Sequence, residues 1–302
     1  DELGYNDFLF SPHGCGWHLD RRRFDAFLAR AAAEAGCEVL TGTRFLGAEG
    51  DGGTGFRLRL APGEVKARFV VDATGAGARF ARCRGARRRF HDRLVCATAF
   101  FELPSESRFS RLTFLEAVKD GWWYAARLPG RRLVVAFASD SQLLKAAGAP
   151  SQEGLAVHLA TTRHLKAELA GATSIAGSLQ ISAVSTSRLD RIVGDAWLAV
   201  GDAASTYDPI SAQGVYKALD NALRAADAAS SWLSGDPTGL EPYQRSVLEQ
   251  LATWLTHRDY LYGLEQRWPS SPFWARRHRP LPVRSMREAG SSSSQSSASQ
   301  PP

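Results

Sequence analysis

Methionine occurs once in the 302 residues, at Met286, and only five of the 37 basic residues are lysine. Cysteine is scarce as well. Cys15, Cys37, Cys83 and Cys96 stand far apart with no C-x-x-C pair, which argues against a disulfide scaffold or a structural zinc site and fits a reducing, cytoplasmic setting. No run approaches the roughly 18 apolar residues of a membrane span, and no basic-then-apolar leader is visible, so neither a membrane span nor an export signal is expected. Because the only methionine comes so late, the sequence is expected to be a processed chain or a fragment.

What is present describes an ordinary folded protein. Hydrophobic residues make up 44%, charged residues 23% and aromatics 10%, and the length suggests about two domains. The net charge of +6 is carried by arginine, and its densest run, Arg79 to Arg89, lacks the interleaved aromatics of a single-strand platform. A solvated basic face able to steer anionic substrates is expected, and no nucleic-acid partner.

Periodicity places the first helix after Asp20, an N-cap, with Phe24, Phe27, Leu28, Ala31 and Ala35 as its apolar set and Gly36 at its end. Strand-like runs follow at 38–46, at Phe56, Leu58 and Leu60 alternating with Arg57 and Arg59, and from Val65 to Val71 after the Pro62-Gly63 turn. This pattern predicts a meander with one wet face. Further sheet is expected over 90–140, a helix over 152–170 and a strand from Trp197 to Val200. A long helix is expected after Gly214, with Tyr216, Leu219, Leu223 and Ala226 on one side, then a helical segment to about residue 265. The Ser/Gln/Pro tail is expected to be disordered.

The strongest chemical signal is Gly201-Asp202-Ala203-Ala204-Ser205, followed by Asp208-Pro209 and Gly214, between an apolar strand and the long helix. An aspartate at a strand's end can accept hydrogen bonds from sugar-like hydroxyls, small residues let a ligand approach, and helix N–H groups favour an anionic edge. On spacing alone, an ordinary crossover with an Asp cap explains the segment equally well.

These residues resemble the second FAD-binding motif of flavoproteins shaped like p-hydroxybenzoate hydroxylase, in the branch holding flavin-dependent halogenases and geranylgeranyl reductases. Asp20-Arg21-Arg22-Arg23-Phe24-Asp25, Asp72-Ala73-Thr74-Gly75 and Gly121-Trp122-Trp123-Tyr124 with Leu128-Pro129 resemble that family's other motifs in order and spacing, over roughly residues 5–280. The resemblance implies an α/β fold with a Rossmann-like, glutathione-reductase-type FAD/NAD(P)-binding domain lacking its first βαβ unit, a mostly antiparallel substrate sheet and a helical C-terminal segment. The expected division is 1–88 and 193–235 for the FAD-binding domain, 89–192 for the substrate domain, 236–285 for the helical segment and 286–302 for the tail. The family's G-x-G-x-x-G cradle is absent, so the chain as given is expected to bind FAD poorly, with a lost segment of several dozen residues.

By the same resemblance Asp202 binds the ribityl or nearby hydroxyls, backbone around Gln213, Gly214 and Val215 faces the N1/O2 edge of the flavin, and Pro209 lines the ring beside Gly201. Arg21, Asp72 and Gly75 complete the cofactor site, for which the alternatives are a surface arginine and a tight turn without ligand. Trp122 and Tyr124 face either a substrate pocket or the core, with Trp123 on the opposite side. No catalytic residue is assigned. His13, Cys15 and His18 lie close together, but no second cluster completes a metal site, and the aromatics from Tyr260 to Trp274 are expected to pack a helical cap. The implied activity is FAD-dependent oxidation of monooxygenase type, through reduced flavin and oxygen, with NAD(P)H as a candidate donor and a small molecule as substrate. The alternatives are a maturase oxidising a side chain of a partner protein, a halogenase, a prenyl reductase and a non-catalytic flavin-fold binding module. Halogenases carry a W-x-W-x-I-P pattern, from which Tyr124 and the late Leu128-Pro129 depart.

Overall fold

The computed structural model describes residues 16, 18–146 and 148–279. His13, Cys15 and the tail from 286 lie outside the described residues.

Asp20 has extended backbone and its carboxylate accepts the Arg23 N–H at 3.3 Å, so α1 (Arg21–Glu34) starts where the sequence places it. It closes before Gly36, whose φ of +92° suits glycine. The apolar set of α1 meets no core among the described residues: none of the helix is buried, and Phe27 and Leu28 are exposed.

The meander follows as β1 (Arg44–Asp51), β2 (Gly55–Ala61) and β3 (Glu64–Ala67), antiparallel in that order. Phe56 turns into the core while Arg57 and Arg59 face solvent. Residues 38–43 form no strand, because the chain turns at Gly42 with φ +68° before β1 begins. The run expected from Val65 to Val71 also divides. Beyond β3 the chain leaves the meander, and β4 (Val70–Asp72) pairs in parallel with the later strand at Trp197–Ala199. An alternating pattern is blind to this change of partner.

After α2 (Arg79–Cys83) and β5 (Arg88–Phe90), the chain enters the large sheet through β6 (Leu94–Glu102), β7 (Phe114–Val118), β8 (Gly121–Leu128) and β9 (Arg132–Asp140). Its strands are antiparallel, and β10 (Thr173–Ser174) and β11 (Gln180–Ala183) both pair with β6. One face holds Trp123 stacked on Phe137, centroids 4.8 Å apart, in a cluster with Leu155 and Leu165. The other face holds Trp122 and Ala138 beneath Tyr262, Phe273 and Trp274.

Helical segments α3 (Ser141–Ala146), α4 (Gln152–Ala160) and α5 (Leu165–Glu168) cover the first face. The single helix expected over 152–170 is broken because Glu116, from β7, accepts the backbone N–H groups of Arg163, His164 and Leu165 and fixes a turn there. Charge from a distant strand overrides local propensity.

The chain returns through β12 (Ser187–Leu189), β13 (Val193–Gly194), β14 (Trp197–Ala199) and β15 (Ser205–Thr206). Strands β15, β12 and β5 form one sheet, so the boundary drawn at 88/89 falls inside a strand. Three helices close the fold: α6 (Gly214–Leu233), α7 (Leu240–Gly263) and α8 (Pro272–Arg277). The side of α6 that carries Tyr216, Leu219 and Leu223 is exposed, and Lys217, Asn221, Ala225 and Ala228 are buried. Tyr262, Phe273 and Trp274 do pack as a cap, while Tyr260 is exposed. Among the described residues, no helix is long and apolar enough to cross a membrane.

Candidate functional site

Strand β14 delivers the chain to Gly201, whose φ of +58° reverses it within one residue. The turn lies against the first turns of α6, where a β-carbon on Gly201 would meet Ala218 at 3.4 Å. Asp202 is therefore carried to the helix start with its side chain 55% exposed. Its carboxylate pairs with the Lys217 ammonium at 2.7 Å, and that lysine is 3% exposed. Lys217 also donates to the Ser205 carbonyl and lies 4.4 Å from the centre of the Tyr207 ring. Tyr207 stacks on Trp254 at 4.5 Å, and the Trp254 indole donates to Ser211 at 2.8 Å. Burial pushes the Lys217 ammonium below its usual range, and Asp202 opposes that shift.

Arg88 secures the turn from the other side. Its guanidinium donates to the carbonyls of Asp202 and Ala203 at 3.1 and 2.7 Å and to the Ser187 hydroxyl at 3.0 Å. Sequence reasoning found neither cation. Arg88 sits in an arginine run read as a solvated face, with no signal to set it apart. Lys217 had one: 217, 221, 225 and 228 recur at helical spacing and define the face that is buried.

Asp208 is buried, and it caps the short helical turn at Pro209–Ser211 by accepting the Ile210 N–H at 3.0 Å. Its other oxygen accepts the Tyr262 hydroxyl at 2.7 Å, and the Trp122 indole donates to that hydroxyl at 3.0 Å. Arg258 stands 3.6 Å from the same carboxylate. Burial pushes the Asp208 carboxyl above its usual range, and Arg258 pulls it back. Pro209 itself is exposed, and Ala212 takes a left-handed conformation that launches α6. Gln213, the cap residue, offers no side-chain hydrogen bond to the helix start. Gly214 is exposed, and a β-carbon there would meet nothing within 4 Å. The first amides of a 20-residue helix thus have no side-chain cap and stand beside open space.

The remaining expected positions are distributed differently. Asp72 is turned inward: one oxygen accepts from the Thr74 backbone and hydroxyl at 2.9 and 2.6 Å, the other from the Ala81 N–H at 2.8 Å. Its carboxylate builds the turn, which leaves Gly75, at φ +66° with open space around it, as the accessible part. Arg21 is exposed and paired with Asp25 at 3.1 Å. Trp122 is buried beneath the C-terminal helices, so it packs and positions Tyr262 where an open substrate pocket was one expectation. Tyr124 on the same face is half-buried, and burial raises its hydroxyl pKa. His18, from the expected His/Cys cluster, contacts the Arg127 carbonyl and the Thr113 hydroxyl.

Comparison with known proteins places this geometry. The tryptophan halogenase family pattern matches residues 6–292. The putative FAD-dependent oxidoreductase LodB of Marinomonas mediterranea is 26% identical over 274 residues, 89% of this chain and 73% of that protein. The flavin-dependent halogenase CmlS superposes with a TM-score of 0.76 at 23% identity over 86% of this chain, a likeness of fold. The peptidyl tryptophan dihydroxylase QhpG superposes with a TM-score of 0.71 at 28% identity over 86% of this chain and 59% of its own. The chain spans about half the length of CmlS. The cofactor that the family implies is FAD. Three features of this turn fit part of such a group: helix amides without a side-chain cap, no side chain at Gly214, and an accessible carboxylate at Asp202.

Proposed function

This chain belongs to the tryptophan halogenase family of flavin-dependent enzymes, and from that premise we propose that it oxidises an organic substrate with reduced flavin and oxygen. The observation that carries the reading is the open N-terminus of α6 at Gly214 beside the exposed, lysine-held carboxylate of Asp202. The amides of Gly214 and Val215 receive the electron-rich edge of the ring, where the helix dipole favours negative charge. Asp202 accepts hydrogen bonds from the ribityl hydroxyls, and Lys217 and Arg88 keep it and its turn in place. Pro209 lines the ring, Gly201 and Gly75 supply the tight turns, and Arg21 reaches the cofactor from α1. When bound, the flavin supplies the redox chemistry, with NAD(P)H as its donor.

For the substrate, a partner-protein side chain ranks beside a small molecule. The likeness to QhpG, at 28% identity over 86% of this chain, favours it. Cys37, Cys83 and Cys96 are unpaired, consistent with placing the reaction in the cytoplasm.

The test is oxygen consumption by the flavin-loaded protein with NAD(P)H, with Gly214→Val in parallel. Protein extended upstream by the segment that carries the diphosphate cradle is expected to keep its yellow colour through dialysis, while its valine variant loses it, because the added side chain fills the space beside the amides. Equal loading of both proteins would refute the reading.

A further inference from the structure

A second concavity lies one layer of side chains from the flavin turn and is not used in the account above. It is a cavity of about 410 Å³ where the start of β6 and the end of β9 meet α7 and α8. Its wall carries four arginines, Arg93, Arg258, Arg276 and Arg277, against two carboxylates, Asp92 and Asp140. The carboxylates are already committed. Asp140 takes both Arg276 and Arg277, the latter at 2.8 Å. Asp92 accepts the backbone N–H groups of Leu94 and Thr186 and stands 3.5 Å from Arg258.

Further acidic groups stand behind the wall, with Asp208 and Asp259 at 3.6 and 3.1 Å from Arg258. These neighbours meet all three nitrogens of Arg258, its Nε facing Asp208. Nε of buried Arg277 and Nε2 of His91, which also lines the cavity, have no hydrogen-bond acceptor. Arg93 is exposed and pairs with no described residue, while Arg276 keeps 56% of its side chain exposed. The accessible guanidiniums, Arg93 and Arg276, present planar forks that match carboxylate and phosphate oxygens.

The position of the cavity selects what brings the anion. Arg258 contacts the carboxylate that caps Pro209–Ser211, and Tyr262, which donates to that carboxylate, lies 4.7 Å beneath the Arg258 guanidinium. We propose that this cavity binds a carboxylate or phosphate-monoester group carried by the molecule being oxidised, with Arg258 and Arg277 as a fixed floor and Arg93 and Arg276 as the accessible clamp. The oxidation half of this statement rests on the flavin reading; the anion half does not.

The experiment uses the flavin-loaded protein with three probes at matched ionic strength: phenylacetate, inorganic phosphate and chloride. Phenylacetate is expected to bind saturably by calorimetry and to perturb the visible flavin band, and phosphate to compete with it, with chloride inert. The exposed-residue variants R93Q and R276Q should each weaken phenylacetate binding about tenfold and the double variant more, with the flavin absorbance per protein unchanged. Unchanged affinity in the double variant, or an equal effect from chloride, overturns the site. Phosphate binding without phenylacetate binding overturns the substrate-borne assignment and leaves a free-anion site. Anion binding by protein that retains no flavin overturns the flavin reading alone.

Discussion

Helices α6 and α7 are similar in length, 20 and 24 residues, and each buries one cation, yet the rest of what they bury differs. α7 buries Tyr243, Val247, Leu251, Trp254, Leu255 and Tyr262 together with one cation, Arg258, and its two buried tyrosine hydroxyls find acceptors, Ala199 for Tyr243 and Asp208 for Tyr262. α6 buries Lys217 and Asn221 with two alanines, and leaves Tyr216 71% and Leu223 72% exposed. Burial without partners is costly for a cation, so a lysine under the first turns of a helix is kept only where specific acceptors hold it. The acceptors are the turn that carries Asp202. The buried face of α7 is mostly apolar and stabilises the fold around one arginine, whereas the buried face of α6 is polar or small and steadies the Asp202 turn.

The contrast can be broken first at its apolar end. Trp254→Ala should cost about 3–5 kcal/mol in urea-unfolding stability, since it empties core and removes the ring on which Tyr207 stacks. A loss below 1 kcal/mol, on the order of a surface change, would show that α7 is not the structural helix. At the polar end, Asp202→Ala should weaken flavin retention by about 1–3 kcal/mol, read by equilibrium dialysis, and should also lower unfolding stability, because it takes an acceptor from buried Lys217. Equal retention would remove Asp202 from the cofactor site.

Between the two helices, Tyr262→Phe strands the Trp122 indole and one Asp208 oxygen and should cost about 1–3 kcal/mol. Double-mutant analysis with Trp122→Phe, which removes the other end of the indole–hydroxyl hydrogen bond, should show that the two losses do not add. Lys217 gives a pH signature. Its folded-state pKa lies below the unfolded 10.5, so native ammonium carries a penalty at neutral pH that disappears as pH rises through that window. Stability should therefore rise more steeply toward alkaline pH in wild type than in Lys217→Met, and identical slopes would count against a strained ammonium. The smallest effect is expected at Leu223→Ser, within about 0.5 kcal/mol, because the replaced side chain is exposed.

The elements most legible in the sequence were those whose signals are local. Asp20 and Gly36 bound α1, and the arginines alternating with Phe56, Leu58 and Leu60 mark the wet face of β2. The Gly201-to-Gly214 segment was legible as a strand, a turn and a helix start, and the structure brings Asp202 and the start of α6 together through Lys217. What escaped depends on partners far along the chain. The helix over 152–170 is cut by Glu116, the Val65-to-Val71 run changes sheets to meet residue 197, and Arg88 holds a turn about 115 positions away. The stripe on α6 marked a helix without marking its buried face: large apolar residues at helical spacing look alike whether they meet a core or not.

The Trp254–Tyr207–Lys217 stack bears on transplantation. The residues from Gly201 to Gly214 form a contiguous stretch that invites grafting into another scaffold, yet the ammonium that steadies their carboxylate rests on a tyrosine whose own support arrives forty-seven positions later. Moved without that distant indole, the segment would carry its acidic group into a host with nothing to aim it.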